Sequence, residues 1–294
     1  VIYILFAAGC FFSILHWLNN FNVSPDSSNF ITAGKNLEQN NSLFVYANWP
    51  SRSFEPVTEP YTEYMPGLPM MAVICFAFTD NPDIVMLALN SIFIALVFFA
   101  SLLVLKKIKV NYFYQILFLL MLTFFGPFRF IYSYFWTESF FIFWSLITFY
   151  FAAKLIDEDN KSYWILGCAA AALSSLMKIY GILNCVFFII PFVIHKKSFL
   201  KPVMFVAAAA IFIIGWYLRN EFLYGYFTSS HKLFGQFNSY NVLRPFKYIL
   251  FLLGNDKPAN LWAAIFSGVS LAPLFLITKN KEKRIFRIWL MLFL

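Results

Sequence analysis

Charge is what this chain has least of. Asp, Glu, Lys and Arg together make up 12% of its 294 residues, against about 25% in ordinary soluble domains. Such a chain cannot be a charge-solvated disordered segment or a charged coiled coil. Histidine occurs three times, and no His, Cys, Asp and Glu set has metal-ligand spacing. Cys10, Cys75, Cys168 and Cys185 all lie inside apolar runs. They read as small buried hydrophobes, which excludes a disulfide-stapled scaffold. Also absent are a Walker phosphate loop, a GxSxG elbow and a GxGxxG turn after a strand.

Apolar residues fill the space. They reach 61%, aromatics alone 22%, and mean hydropathy is +0.70. No water-soluble globule of this size could hide so much apolar surface, so much of it faces lipid. The sequence predicts an all-α polytopic membrane protein, an integral multi-pass chain forming one unit over 1–294. Spanning the bilayer takes about 20 apolar residues, with roughly 17–25 tolerated. Candidate spans are 1–18, 82–105, 112–125, 138–153, 162–177, 181–194, 201–218 and 261–277, with another beginning near Ile285. The first is read as a retained span, since no small-residue cleavage site follows it. The chain opens without methionine and stops at Leu294 inside a new apolar run, so it is expected to be truncated at its C-terminus.

The run 65–78 is apolar but short and opens with Pro66, Gly67 and Pro69, which predicts an interfacial or re-entrant helix rather than a span. Charge supports that. With 65–78 not crossing, Lys106, Lys107, Lys109, Lys154, Lys161, Lys196, Lys197, Lys201, Lys279, Lys281, Lys283, Arg284 and Arg287 all fall in short loops on one side. Basic short loops mark the cytoplasmic face. The excess of positive charge, +8 overall, is therefore a topology signal, and no nucleic-acid partner is expected. Two long outer connections remain, 19–81 and 219–260, and long connections in compact proteins usually carry function. Chemistry is accordingly expected on the extracytoplasmic face, in the plasma or inner membrane if the source is bacterial.

Within 19–81, Asp26-Ser27-Ser28 can cap a helix on which Phe30, Ala33 and Leu37 recur at helical spacing, giving an amphipathic surface helix. Asp26 is thus either a helix cap or a carboxylate able to act as a general base. Tyr61 and Tyr64 precede the prolines of 65–78, and irregular backbone at membrane depth is tolerated only against protein or a water-filled cavity. Arg129 and Glu138 flank an aromatic stretch, Phe128 to Trp136, and can form a structural pair. Lys178 can snorkel to the interface or offer a cation to a phosphate. Arg219 and Asn220 end another span where headgroups lie, and arginine suits bidentate phosphate contacts. His231 reads as a surface residue. Asn22-Val-Ser24 and Asn40-Asn41-Ser42 match the N-glycosylation acceptor pattern.

Taken in order, several motifs resemble the GT-C glycosyltransferases that use polyprenyl-phosphate sugars, among them the protein O-mannosyltransferases and lipid A aminoarabinose transferases. They are Asp26-x3-Phe30-x2-Ala33-x3-Leu37, Tyr64-x-Pro66-Gly67-x-Pro69, Tyr134-x2-Thr137-Glu138, Lys178-x-Tyr180-Gly181 and Trp216-x2-Arg219-Asn220-x4-Gly225. The resemblance implies a GT-C-like transmembrane helical bundle with interfacial helices in the first outer loop. It implies transfer of a sugar, with inversion, from a lipid phosphate to a lipid, glycan or protein acceptor. The acid after the first span, Asp26, would be the catalytic residue. Two positions differ from relatives: Ser27 stands where several have a second acid, and Met65 where aminoarabinose transferases have lysine.

On this resemblance, Lys178, Arg219 and Arg129 would bind the donor phosphate, while Glu138, Tyr64 and Tyr180 would orient the substrates. No cofactor is expected, although a divalent cation assisting the phosphate stays open. Partners would be the polyprenyl-phosphate-linked sugar donor, an acceptor and membrane lipids. The alternatives are a transporter or flippase for a lipid-linked glycan and a non-catalytic subunit of a membrane complex.

Overall fold

The computed structural model describes residues 1–47, 57–62, 64–188 and 200–225. The candidate spans at 261–277 and near Ile285, most of the 219–260 connection with His231, the basic residues Lys196 and Lys197, and the second half of 181–194 lie outside the described residues.

The chain is a helical membrane protein. Among the described residues four helices are long and apolar enough to cross a bilayer: α1 (Ile2–Asn19), α4 (Pro82–Lys107), α7 (Thr137–Asp157) and the final described helix, here α9 (Leu200–Tyr224). Between them lie α2 (Pro25–Asn40), α3 (Gly67–Phe76), α5 (Tyr112–Phe124), α6 (Gly126–Tyr132), α8 (Lys161–Met177) and a 3-10 helix, Ile179–Phe188. Large apolar side chains face outward on the long helices: Ile4, Phe11 and Phe12 on α1, Phe99 on α4, and Ile211, Ile214 and Leu218 on α9. A bilayer is the environment in which such surfaces are at rest.

Two sequence expectations are corrected. The run 112–125 is not one straight span: α5 has 13 residues, about 20 Å at helical rise, and the axis then bends by 52° into α6. Pro127 in the first turn of α6 removes a backbone donor there, a common cause of such breaks. The run from Gly181 begins in a 3-10 helix rather than an α-helix. Besides its helices, the 19–81 connection carries a two-stranded sheet: β1 (Phe44–Ala47) pairs antiparallel with β2 (Val57–Pro60), Phe44 opposite Pro60.

The interior is built from aromatic stacking and small-residue contacts. Phe93 of α4 stacks on Phe140 of α7 at 4.1 Å and meets Phe143 edge-on at 5.5 Å. Such geometry suits the ring quadrupole. Along α8, Gly167, Ala170, Ala171, Ser174 and Ser175 are buried, and small residues let the backbones of α7 and α8 approach closely. Because α7 and α8 form an antiparallel hairpin, the start of α7 lies beside the end of α8. At the opposite end of the bundle, Lys107 of α4 and Asp157 of α7 form an ion pair.

Two short helices close the other end. On α2, Phe30, Ile31 and Ala33 are buried and Leu37 packs partly against the core, as the apolar spacing anticipates. α3 has ten residues, about 15 Å of rise, half what a span needs. It buries Leu68, Ala72 and Phe76 and exposes Met70 and Ile74, with Phe78 exposed just beyond its end, a helix with one face on protein and the other apolar and bare.

Candidate active site

A cavity of about 400 Å³ opens at the end of the bundle where α2 and α7 begin and α8 and α9 finish. Asp26, Tyr64, Glu138, Lys178 and Tyr180 all line it, together with Phe30, Thr62, Met65, Trp136, Trp216 and Tyr217. Chain segments as far apart as Asp26 and Tyr217 thus meet at one cavity.

Asp26 is not the cap of α2. Ser24 is the N-cap, its hydroxyl accepting from the Ser27 amide at 3.1 Å, with Pro25 as the first helical residue. Proline suits that position, having no amide to leave unpaired and a φ already set for the helix. The cap is reinforced from outside, since Trp136 Nε1 donates to Ser24 Oγ at 2.6 Å. Asp26 is left on the first turn, where the helix dipole favours a carboxylate. Its Oδ1 accepts from the Tyr64 hydroxyl at 2.7 Å, and Phe30 packs edge-on against the Tyr64 ring at 5.1 Å. Its second carboxylate oxygen has no partner among the described residues.

Glu138 pairs with Lys178, not with Arg129. Lys178 Nζ donates to Glu138 Oε1 at 2.5 Å, both side chains 29% exposed. The α7–α8 hairpin explains the choice: Lys178 directly follows α8 in extended backbone and reaches the first turn of α7. Lys178 is therefore held in a specific pair rather than snorkelling freely. Glycines allow the close fit on either side of it. A Cβ on Gly67 would come within 2.6 Å of the Leu176 carbonyl, and one on Gly181 within 2.3 Å of the Ser174 backbone. The two motif glycines clasp the last turn of α8 from both sides, so the Pro66-Gly67 and Tyr180-Gly181 segments jointly fix where Lys178 emerges.

Arg129 and Arg219 do not line the cavity. Arg129 is exposed on α6 and donates to His16 Nδ1 of α1 at 3.0 Å. Arg219 stands behind the wall: its guanidinium lies over the Trp216 ring at 4.8 Å and the Tyr224 ring at 5.4 Å and donates to Asn220 Oδ1 at 2.8 Å. Such stacking holds an arginine without consuming its charge. Among the described residues the lining therefore carries two carboxylates, Asp26 and Glu138, and one ammonium, Lys178.

The aromatic stretch before α7 is tied down from below. Asn90, fully buried on α4, donates to the carbonyls of Tyr132 at 3.1 Å and Tyr134 at 3.3 Å. The Asn22 amide donates to the Ser133 carbonyl at 3.2 Å. These bonds lock the α1–α2 and α6–α7 connections together and set Trp136 against Ser24. Sequence reasoning missed Ser24, His16 and Asn90 as organisers of this end, and Thr62 as part of the cavity wall. Thr62 sits between the two tyrosines that drew attention, and a small β-branched residue there carries no distinguishing signal. Among the described residues, no group of three or more His, Cys, Asp or Glu is arranged to hold a metal ion.

No protein-family model, curated protein or solved structure matches the chain.

Proposed function

We propose that the chain is a membrane glycosyltransferase of the GT-C kind, moving a sugar from a polyprenyl phosphate to a hydroxyl-bearing acceptor on the extracytoplasmic side. The observation that carries this reading is the meeting of Asp26, Tyr64, Glu138, Lys178 and Tyr180 on one cavity at a helix-capped end of a membrane bundle. The reaction needs a base for the acceptor, a cation for the departing phosphate and a surface for the sugar, next to lipid where a long tail can lie.

In this scheme Asp26 takes the acceptor's hydroxyl proton on its unpartnered oxygen while Tyr64 steadies the other. The acceptor oxygen bonds to the anomeric carbon as the bond from that carbon to the phosphate oxygen breaks. The electron pair of the broken bond leaves with the phosphate. Lys178, which has three donors and spends one on Glu138, meets the charge that grows there. Arg219 adds positive potential from behind Trp216. Tyr180 and Glu138 orient the substrates.

Sidedness follows from charge. Lys106, Lys107, Lys109, Lys154 and Lys161 stand at helix ends opposite the cavity, and basic short loops belong to the cytoplasmic face. Cysteines introduced at Asn40 and Asp80 should react with an impermeant thiol reagent from the cavity side only, and one at Lys109 from the other. Labelling of Asn40→Cys together with Lys109→Cys from one side, with Asp80→Cys reached only from the other, would mean that α3 crosses the membrane.

The activity test uses the purified chain in lipid nanodiscs with undecaprenyl phosphate carrying a radiolabelled hexose. A glycosyltransferase releases undecaprenyl phosphate and moves label to an acceptor fraction. Lipid recovered intact, whether or not it has changed leaflet, refutes the proposal in favour of a carrier.

A further inference from the structure

The helix that carries Asp26 separates two cavities. One face of α2, with Asp26 and Phe30, lines the site described above. The opposite face carries Ser28, Thr32, Lys35, Asn36 and Gln39 at three- and four-residue spacing, a continuous polar stripe. The polar face of an amphipathic surface helix belongs in open water. Here it lies across the first turn of α4 instead, and a second cavity of about 460 Å³ opens between them. Its other walls are Pro82 and Asp83 of that turn and the apolar side chains of Val23, Ile31 and Met86.

Two charges of opposite sign line this cavity, and neither is answered. Lys35 Nζ reaches the Asp80 carbonyl at 3.4 Å, a long contact that spends one of its three donors. The Asp83 amide is taken by Asn81 Oδ1 at 2.9 Å, while the Asp83 carboxylate has no partner among the described residues. The two do not pair with each other, since the ion pairs of the described residues join Lys107 to Asp157 and Lys178 to Glu138. Ser28, Thr32 and Gln39 add hydroxyl and amide groups beside them.

The cavity lies at the depth of lipid headgroups. α4 has 26 residues, about 39 Å of rise against about 30 Å for the hydrocarbon core. Lys106 and Lys107 end it on one side, so Asp83 stands in the headgroup layer of the other. Ile84, the next residue, is already 51% exposed, and Phe78, just before the turn, is 87% exposed. Acyl chains therefore reach the mouth of the cavity.

We propose that this second cavity binds the headgroup of a zwitterionic phospholipid with a primary ammonium, of the phosphatidylethanolamine class. The phosphate meets Lys35, the ammonium meets Asp83, and the acyl chains leave past Ile84 into the bilayer. A ligand with a single charge answers one of these groups and is repelled by the other. A primary ammonium also donates hydrogen bonds to a carboxylate, which a trimethylammonium cannot do. The inference does not depend on the glycosyltransferase reading.

Native mass spectrometry of the purified chain in detergent gives equilibrium affinities for dioleoyl phosphatidylethanolamine, phosphatidylcholine and phosphatidylglycerol. Wild type should bind phosphatidylethanolamine about tenfold tighter than either of the others. Asp83→Asn should weaken phosphatidylethanolamine about tenfold and leave phosphatidylglycerol no weaker, since the repelling carboxylate is gone. Lys35→Gln should weaken all three, because all carry a phosphate. Lys161→Gln, exposed at the opposite end of the bundle, should change none of them.

Equal affinity of wild type for the three lipids overturns the proposal. So does unchanged phosphatidylethanolamine affinity in either Asp83→Asn or Lys35→Gln, provided that variant melts like wild type. Water-soluble glycerophosphoethanolamine carries the same two charges without acyl chains, and should displace the lipid only at about a hundredfold excess or more. Displacement at the lipid's own concentration would make the cavity a site for a soluble zwitterion and overturn the lipid assignment.

Discussion

Asp26→Asn should abolish sugar transfer, lowering turnover by a factor of about 10² to 10⁴, the range a positioned general base supplies. The protein should stay folded. Ser24 caps α2, so the substitution leaves the cap untouched, and an asparagine carbonyl can still accept the Tyr64 hydroxyl that now reaches Asp26 Oδ1 at 2.7 Å. What disappears is the basic lone pair on the second oxygen and one negative charge in the first turn of α2. Losing that charge costs about 0.3–1 kcal/mol of helix-dipole stabilisation. Initial rates of label release, read beside a thermal melt in the same nanodiscs, check both statements. A variant that transfers sugar at the wild-type rate would reduce Asp26 to a helix-dipole residue, and the cavity would lose its base. A variant that fails to fold would instead show the carboxylate to be structural.

How much of this was legible in the sequence depends on the length scale of the physics involved. Spans are legible because a bilayer imposes a length, and α4, α7 and α9 fall where apolar runs of that length occur. The shortness of α3 is legible for the same reason. The bend at Phe125 was harder, since Gly126-Pro127 sits inside a run that is apolar throughout. The capping residue was misread by two positions: Ser24, Asp26 and Ser27 are all competent caps, and only the backbone angles, extended at Ser24, decide among them.

Glu138's partner was misassigned because Arg129 is nine positions away and Lys178 forty. Closeness along the chain was the wrong measure. In an antiparallel helix hairpin the residue just before one helix and the residue just after the next are neighbours, whatever the separation. That Thr62 Oγ1 and Trp216 Nε1 are buried with no hydrogen bond among the described residues was not legible at all. A missing hydrogen bond is a property of packing, and nothing in a threonine between two tyrosines announces it.

The second large effect is expected at Lys178, and it separates two meanings of the Glu138 pair. At 29% exposure on each side, the pair lies between a surface ion pair, worth about 0–1 kcal/mol, and a buried one whose breakage strands a charge. If Lys178 serves mainly to neutralise Glu138, then Lys178→Met damages the site by leaving that carboxylate unpaired, and adding Glu138→Gln should restore activity. If Lys178 meets the charge growing on the leaving phosphate, Lys178→Met should lower turnover about 10²- to 10³-fold. The double variant should then be as slow as the single, because removing an acid does not supply a cation. The lining supports the second outcome, since among the described residues Lys178 is its sole cation against two carboxylates, and the donor brings a further negative charge that Arg219 addresses only through the Trp216 ring. Binding of the donor should fall less than turnover, because the charge on the phosphate is greatest as the bond to the sugar breaks. Rates for wild type, both single variants and the double form one thermodynamic cycle. Recovery of more than half the lost activation free energy in the double variant would assign Lys178 to Glu138 and leave the phosphate to another group.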